Sequence, residues 1–306
     1  MASLLSTTLD IAARVAPGLA GPRAFALFVR PLGRARLRPE EAQLMAQAET
    51  GRMLVRGILV TTYRWGDGDR PVLVVHGWSS RASRFAGFIE ALRAEGRTVV
   101  AFDSPGNGAS GGRATTVRDL REIIRRLHAE YGDFSAVLAH SFGVLAGFFT
   151  LREVVRADRV VAIGAIAEFD YLLRQFRARL GVGDAVERAL RRHVERALFP
   201  GEADIWQRLD ATWRPTDVPV PILLVHDTDD DIAAPAQSRA IAGAHGDRAR
   251  LIETSGLGHR RILADPEVIA AAVEFITAPQ VAGENPAEAD AVVRAVSGAQ
   301  FPAATR

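Results

Sequence analysis

The chain has 306 residues, 48% of them hydrophobic and 24% charged, with a formal net charge of +2, which is material for a large buried core and the reverse of a disordered composition. It has no cysteine, and all 38 basic residues are arginine, so disulfides, thiolate nucleophiles, Cys-ligated metals, Schiff-base lysines and a P-loop lysine are excluded. No basic run and no arginine-aromatic interleaving points to nucleic acid.

No apolar run reaches the roughly 18 residues of a membrane span. Residues 3–30 come closest, but Asp10, Arg14, Pro17, Arg23 and Arg30 interrupt them and no basic leader precedes them, so a cytoplasmic protein is expected. This segment predicts one or two amphipathic helices packed on the main domain. The alternative is a membrane-surface anchor built on Phe25, Leu27, Phe28 and Val29. Pro39-Glu40-Glu41 starts a short helix, and a preamble of residues 1–50 ends there.

Strands follow. Met53 to Val55 and Ile58 to Trp65 alternate around Gly57 as a hairpin would. From Val72 the rhythm becomes continuous apolar runs (Val72 to Val75, Thr98 to Phe102, Phe134 to Ala139, Arg159 to Ala165, Val220 to Val225, Arg250 to Ile252) separated by helical stretches. The helices are predicted over Arg81 to Glu95, Thr115 to Tyr131, Phe142 to Val155 and Arg261 to Ile276. Apolar strands alternating with amphipathic helices predict an α/β fold with a mostly parallel sheet buried on both faces.

Between Ala167 and Asp217 the pattern is purely helical. Phe169, Leu172, Leu173, Phe176 and Leu180 form one stripe that needs a cover, and shorter helices follow around Ala185 to Leu198 and Glu202 to Leu209. The expected organisation is an α/β core over residues 51–166 and 218–278, a helical cap over 167–217, and a loose Ala/Pro/Gly/Glu tail over 279–306.

The chemistry concentrates at strand ends. Ala139-His140-Ser141-Phe142-Gly143 lies where an apolar strand meets an apolar helix, the context in which a sharp turn lifts a serine Oγ above the sheet edge. His226-Asp227-Thr228-Asp229-Asp230-Asp231 and Gly258-His259 follow the next strands, so the chain order is Ser, Asp, His. A serine hydroxyl needs a base, an imidazole supplies one near neutrality, and a carboxylate fixes the imidazole tautomer. In His76-Gly77-Trp78, after the first parallel strand, a glycine turn can aim the Trp78 N–H at the same point as that of Phe142, and such an oxyanion donor contributes roughly 3–4 kcal/mol.

These blocks, with Asp103-Ser104-Pro105-Gly106-Asn107-Gly108-Ala109-Ser110 between them, resemble an α/β-hydrolase with a helical cap over about residues 52–277. The resemblance implies Ser141 as nucleophile, His259 as base, an acid after the strand ending at Val225, and oxyanion donors at Trp78 and Phe142. Two positions depart from the pattern: Ala139 replaces the usual glycine, and Asn107 stands where many relatives carry histidine. Asp230, four residues after His226, matches the family's spacing for the acid; Asp229 is the alternative and Asp231 the third choice.

The other histidines carry no chemistry in this reading. His128, His193 and His245 are expected on the surface, while His76, His140 and His226 flank the site and orient loops. No H-E-x-x-H or paired-histidine spacing holds a metal, and the glycines from Gly106 to Gly112 lack the frame of a phosphate loop. The expectation is a serine hydrolase of an ester or related acyl bond, carboxylesterase-like, acting on a small hydrophobic substrate without cofactor or metal. Thioesterase and C–C bond hydrolase share this skeleton, a non-catalytic small-molecule binder is the rival from another class, and a homo-oligomer is left open.

Overall fold

A computed structural model describes residues 2–31 and 33–279; all but the first residue of the expected C-terminal tail lies outside them. Eight strands form one sheet in the order β1-β2-β4-β3-β5-β6-β7-β8. They are β1 (Glu49–Val55), β2 (Ile58–Trp65), β3 (Val72–Val75), β4 (Val99–Asp103), β5 (Ala136–His140), β6 (Val160–Ile163), β7 (Ile222–Asp227) and β8 (Ala249–Thr254). β1 and β2 form the expected hairpin, closed by Arg56 and Gly57, whose positive φ angles of 48° and 80° suit the right-handed twist of the strands. β2 runs antiparallel to β4, and every pairing from β4 to β8 is parallel.

Because side chains alternate along a strand, a sheet with hydrophobic residues throughout must be covered on both sides. Leu73 and Val75 of β3 pack on one face with α5 (Val117–Tyr131) and α6 (Phe142–Leu151). Val72 and Val74 pack on the other with α3 (Pro39–Ala46), α4 (Ala86–Ala94) and α12 (Pro266–Thr277). Side-chain caps mark the starts of α5 and α12. Thr116 accepts from the Asp119 amide while Asp119 accepts from that of Thr116, a reciprocal cap on α5. Asp265 accepts from the amides of Glu267 and Val268 ahead of Pro266, so the helix expected over Arg261 to Ile276 is divided into α11 (Gly258–Arg261), a short 3₁₀ turn and α12.

The helical stretch between β6 and β7 consists of α7 (Phe169–Leu180), α8 (Asp184–Leu198) and α9 (Ile205–Arg208). Its apolar stripe is covered: Phe169 and Leu173 are buried, and Leu172, Phe176 and Leu180 pack against the same core. Part of the cover comes from α1 (Ala2–Val15) and α2 (Pro17–Phe28), which lie against α8. Phe25 and Phe28 pack inward on that core and Val29 is buried, leaving only Leu27 of the anchor residues exposed. The helices pack onto the domain, as the first of the two expectations has it. No helix among the described residues is long and apolar enough to cross a membrane.

Candidate active site

The site assembles at the C-terminal ends of the parallel strands, where open α/β sheets gather ligands. Ser141 sits between β5 and α6 with φ 55° and ψ −122°, a backbone conformation costing about 1–3 kcal/mol that persists only when surrounding contacts impose it. Here the Ser141 amide donates to the Ile163 carbonyl at 3.0 Å and its carbonyl accepts from Val144 at 3.0 Å. Gly143 explains why the turn tolerates no larger residue there: a Cβ would lie 2.5 Å from the Val75 carbonyl oxygen and 2.9 Å from that of His76. The methyl of Ala139, in place of the usual glycine, is accommodated within the core.

Ser141 Oγ lies 3.0 Å from His259 Nε2, and His259 Nδ1 lies 2.6 Å from Asp230 Oδ2. All three residues are buried. With the proton on Nδ1 donated to Asp230, Nε2 is left to accept the serine hydroxyl. The other Asp230 oxygen accepts the amides of Ile232 and Ala233, both at 2.8 Å. Burial alone raises the Asp230 carboxyl, but the hydrogen bonds from His226 and His259 and the field of His259 outweigh it and hold the group well below the usual carboxylate range. Asp229 turns instead to the Gly256 amide at 2.7 Å, and Asp231 is exposed. Of the three adjoining aspartates, Asp230 is the one brought to His259.

The flanking histidines are hydrogen-bonded as expected. His226 donates from Nε2 to the Ala233 carbonyl at 2.9 Å, with Asp230 Oδ2 at 3.3 Å, and accepts from Ser238 at Nδ1. His140 Nε2 donates to the His259 carbonyl at 2.9 Å, and burial followed by the field of His259 pushes its imidazole down to about 3. His76 Nδ1 donates to the Gly77 carbonyl while Nε2 accepts the Ser104 amide. His245 corrects the sequence reading: it is buried, not on the surface, because it ends α10 (Ala236–His245) with Nε2 donating to the Ala211 carbonyl at 3.0 Å and its ring against Phe148.

Phe142 opens α6, so its N–H has no acceptor within the helix. Gly77 packs so closely on the elbow that a Cβ would lie 2.9 Å from that of Ser141. The Trp78 ring lies edge-on to that of Phe142, 5.6 Å between centroids.

Asp227 and Asp103 build the site largely through partners that are distant in the sequence. Asp227 accepts from Asp229 N, Thr254 Oγ1, Leu257 N and Gly258 N, tying the end of β7 to the turn that carries His259. Asp103 is buried under the loop after β4, accepting from Ala82 N, Ala109 N and Tyr63 Oη. Asn107 takes up its departure from the pattern as a latch, with Nδ2 within hydrogen-bond distance of Ser104 Oγ, the Pro105 carbonyl and Thr115 Oγ1. No group of three His, Asp or Glu side chains suited to a metal occurs among the described residues.

The family model of alpha/beta hydrolases matches residues 72–272. The chain belongs to the alpha/beta hydrolase family. No curated protein matches it. Among solved structures, this alpha/beta hydrolase is similar to an esterase from Pyrococcus furiosus (19% identity, 81% of this chain and 96% of that one, TM-score 0.59). It is also similar to mouse alpha/beta hydrolase domain-containing protein 10 (15% identity, 81% and 100%, TM-score 0.57). A meta-cleavage product hydrolase from Pseudomonas fluorescens matches at 22% identity over 74% of this chain and 96% of its own, with a TM-score of 0.52. At these identities the likeness is one of fold.

Proposed function

We propose that this alpha/beta hydrolase is a serine hydrolase that cleaves an ester or related acyl bond, carboxylesterase-like, with Ser141 as nucleophile, His259 as base and Asp230 as acid. The observation that carries the reading is the continuous hydrogen-bonded path from Ser141 Oγ through His259 to Asp230, ending on a carboxylate held anionic. In the first half-reaction Ser141 Oγ bonds to the substrate carbonyl carbon and its proton passes to His259 Nε2. The imidazolium is stabilised across Nδ1 by Asp230. The backbone amides of Trp78 and Phe142 receive the oxyanion, and the leaving group departs with the proton from Nε2. Water then attacks the acyl-serine, giving a proton to His259 that returns to Ser141 Oγ as the acid is released.

In this reading residues 167–217 are a cap over that cleft, borne by the core of residues 51–166 and 218–278, and their apolar faces suit a small hydrophobic acyl group. The test is labelling with a fluorophosphonate probe alongside turnover of p-nitrophenyl esters. Ser141→Ala is expected to abolish labelling and to cut kcat by at least about 10⁴-fold with the fold intact by circular dichroism. Unchanged labelling or turnover in that variant defeats the assignment. A parallel panel of acyl thioesters separates an esterase from a thioesterase, the higher kcat/KM deciding between them.

A further inference from the structure

The N-terminal helices lie outside the stretch that matches the family, yet α2 reaches Trp78 beside the nucleophile turn. Phe28, the last residue of α2, places its ring 6.5 Å from that of Trp78 and meets the rings of Phe169 and Phe176 on α7 at 5.7 and 5.4 Å, both edge-on. Trp78 in turn contacts Phe142 beside Ser141. A continuous row of aromatic rings therefore runs outward from the nucleophile, and Phe28 is its one member from the N-terminal segment. Edge-to-face pairs of this kind add about 0.5–1.5 kcal/mol beyond their buried area and fix the ring positions. Phe28, Trp78 and Phe176 are all only partly buried, so this row still presents apolar surface.

The N-terminal segment that carries Phe28 is held at three places. Gly21 lets α2 approach α8 so closely that a Cβ would lie 2.7 Å from the Ala189 carbonyl oxygen. Asp10 on α1 accepts the Gly183 amide at the start of α8 at 2.7 Å. Beyond α2, the Val29 carbonyl accepts from Thr115 N at 3.0 Å. Phe28 is thus positioned by α8 on one side and by the loop before α5 on the other.

We propose that Phe28 is a specificity-determining residue that closes the outer end of the acyl-binding space, so that the N-terminal helices and α7 together set the acyl-chain length accepted. This rests on the acyl-hydrolase reading above. An apolar ring at the end of a pocket excludes longer chains sterically while leaving the carbonyl contacts at Ser141 in place, so its size governs the ratio of kcat/KM between long and short substrates.

The experiment compares the full chain with its Phe28→Ala, Phe28→Trp and Gly21→Ala variants on p-nitrophenyl esters from acetyl to decanoyl. Phe28→Ala is expected to raise the decanoyl-to-acetyl ratio of kcat/KM by roughly tenfold or more, carried mainly by KM, and Phe28→Trp to lower it. Gly21→Ala, which pushes α2 away from α8, is expected to shift the ratio in the same direction as Phe28→Ala without altering the ring. A structural role alone would lower thermal stability in Phe28→Ala and leave the chain-length profile unmoved in both Phe28 variants; that result overturns the proposal. If wild-type turnover is present and lost in Ser141→Ala while the profile stays fixed, only the role of Phe28 fails. If Ser141→Ala hydrolyses the esters as well as wild type, the hydrolase reading fails and the role of Phe28 with it.

Discussion

Both carboxylate oxygens of Asp230 are occupied by donors, so replacing it with the isosteric amide changes more than charge. In Asp230→Asn one position must present an N–H where His259 Nδ1–H or a backbone amide now donates, which disfavours the tautomer that leaves Nε2 free to accept. A fall in kcat of about 10⁴-fold is expected. Asp229→Asn keeps an oxygen for the Gly256 amide, and exposed Asp231→Asn disturbs no buried partner, so both are expected to change kcat by less than about tenfold. Equal losses at the three positions, measured with the same ester, would contradict the assignment. Asp227→Ala differs again: it strips acceptors from Asp229, Thr254, Leu257 and Gly258 at once and is expected to destabilise the fold by about 3–5 kcal/mol in urea titration. Ser141 and His259 are legible in the sequence because small residues and a strand-to-helix junction accompany them. The work of Asp227 is not, because its partners at Thr254, Leu257 and Gly258 become neighbours only once β7 and β8 pair.

The elbow shows how an element's start constrains the site. Gly143 stands on the first turn of α6, and what a Cβ would meet is backbone of β3 and the residue after it, which cannot rotate away. Gly143→Ala is therefore expected to cost about 1–3 kcal/mol of stability and to lower kcat by shifting the Phe142 amide. Ala139→Gly should cost about 0.5–1 kcal/mol through backbone entropy while activity is retained, the two readouts separating steric fit from flexibility. The parallel strands stand out in the sequence as unbroken apolar runs, since burial on both faces removes alternation. Element ends are less legible. The helix expected to reach Val155 stops at Leu151, and the one expected from Arg261 is interrupted at Asp265-Pro266, where the aspartate caps a new helix that the proline begins. The destination of α1 and α2 was legible only as far as their amphipathic faces, because the surface that receives them is assembled from α7 and α8, far along the chain.

Across the whole molecule, buried neutral histidines couple stability to pH. Burial, aided by neighbouring charge, lowers His140 from 6.5 to about 3, and burial is the leading cause of the lowering at His76 and His245. The unfolded chain takes up these protons as pH falls through 6.5 while the folded protein holds the imidazoles neutral to lower pH, for His140 down to about 3, so below 6.5 the unfolded state binds more protons and stability falls with pH. Each such histidine contributes a slope of up to about 1.4 kcal/mol per pH unit. Asp230 and Asp227, both lowered because hydrogen bonds outweigh the burial that raises them, behave differently. Their stabilisation is complete above the ordinary carboxylate pKa of about 4 and is lost only as pH drops below it toward their folded values. Urea midpoints are therefore expected to decline in two stages, a first below 6.5 and a steeper one below about 4. His140→Gln, which can still donate to the His259 carbonyl, should flatten the first stage and leave the second, whereas Asp230→Asn should soften only the second. An unchanged slope in the first stage for His140→Gln would mean that its imidazole is not held neutral in the fold. The first stage would then have to come from the other buried histidines, His76 and His245.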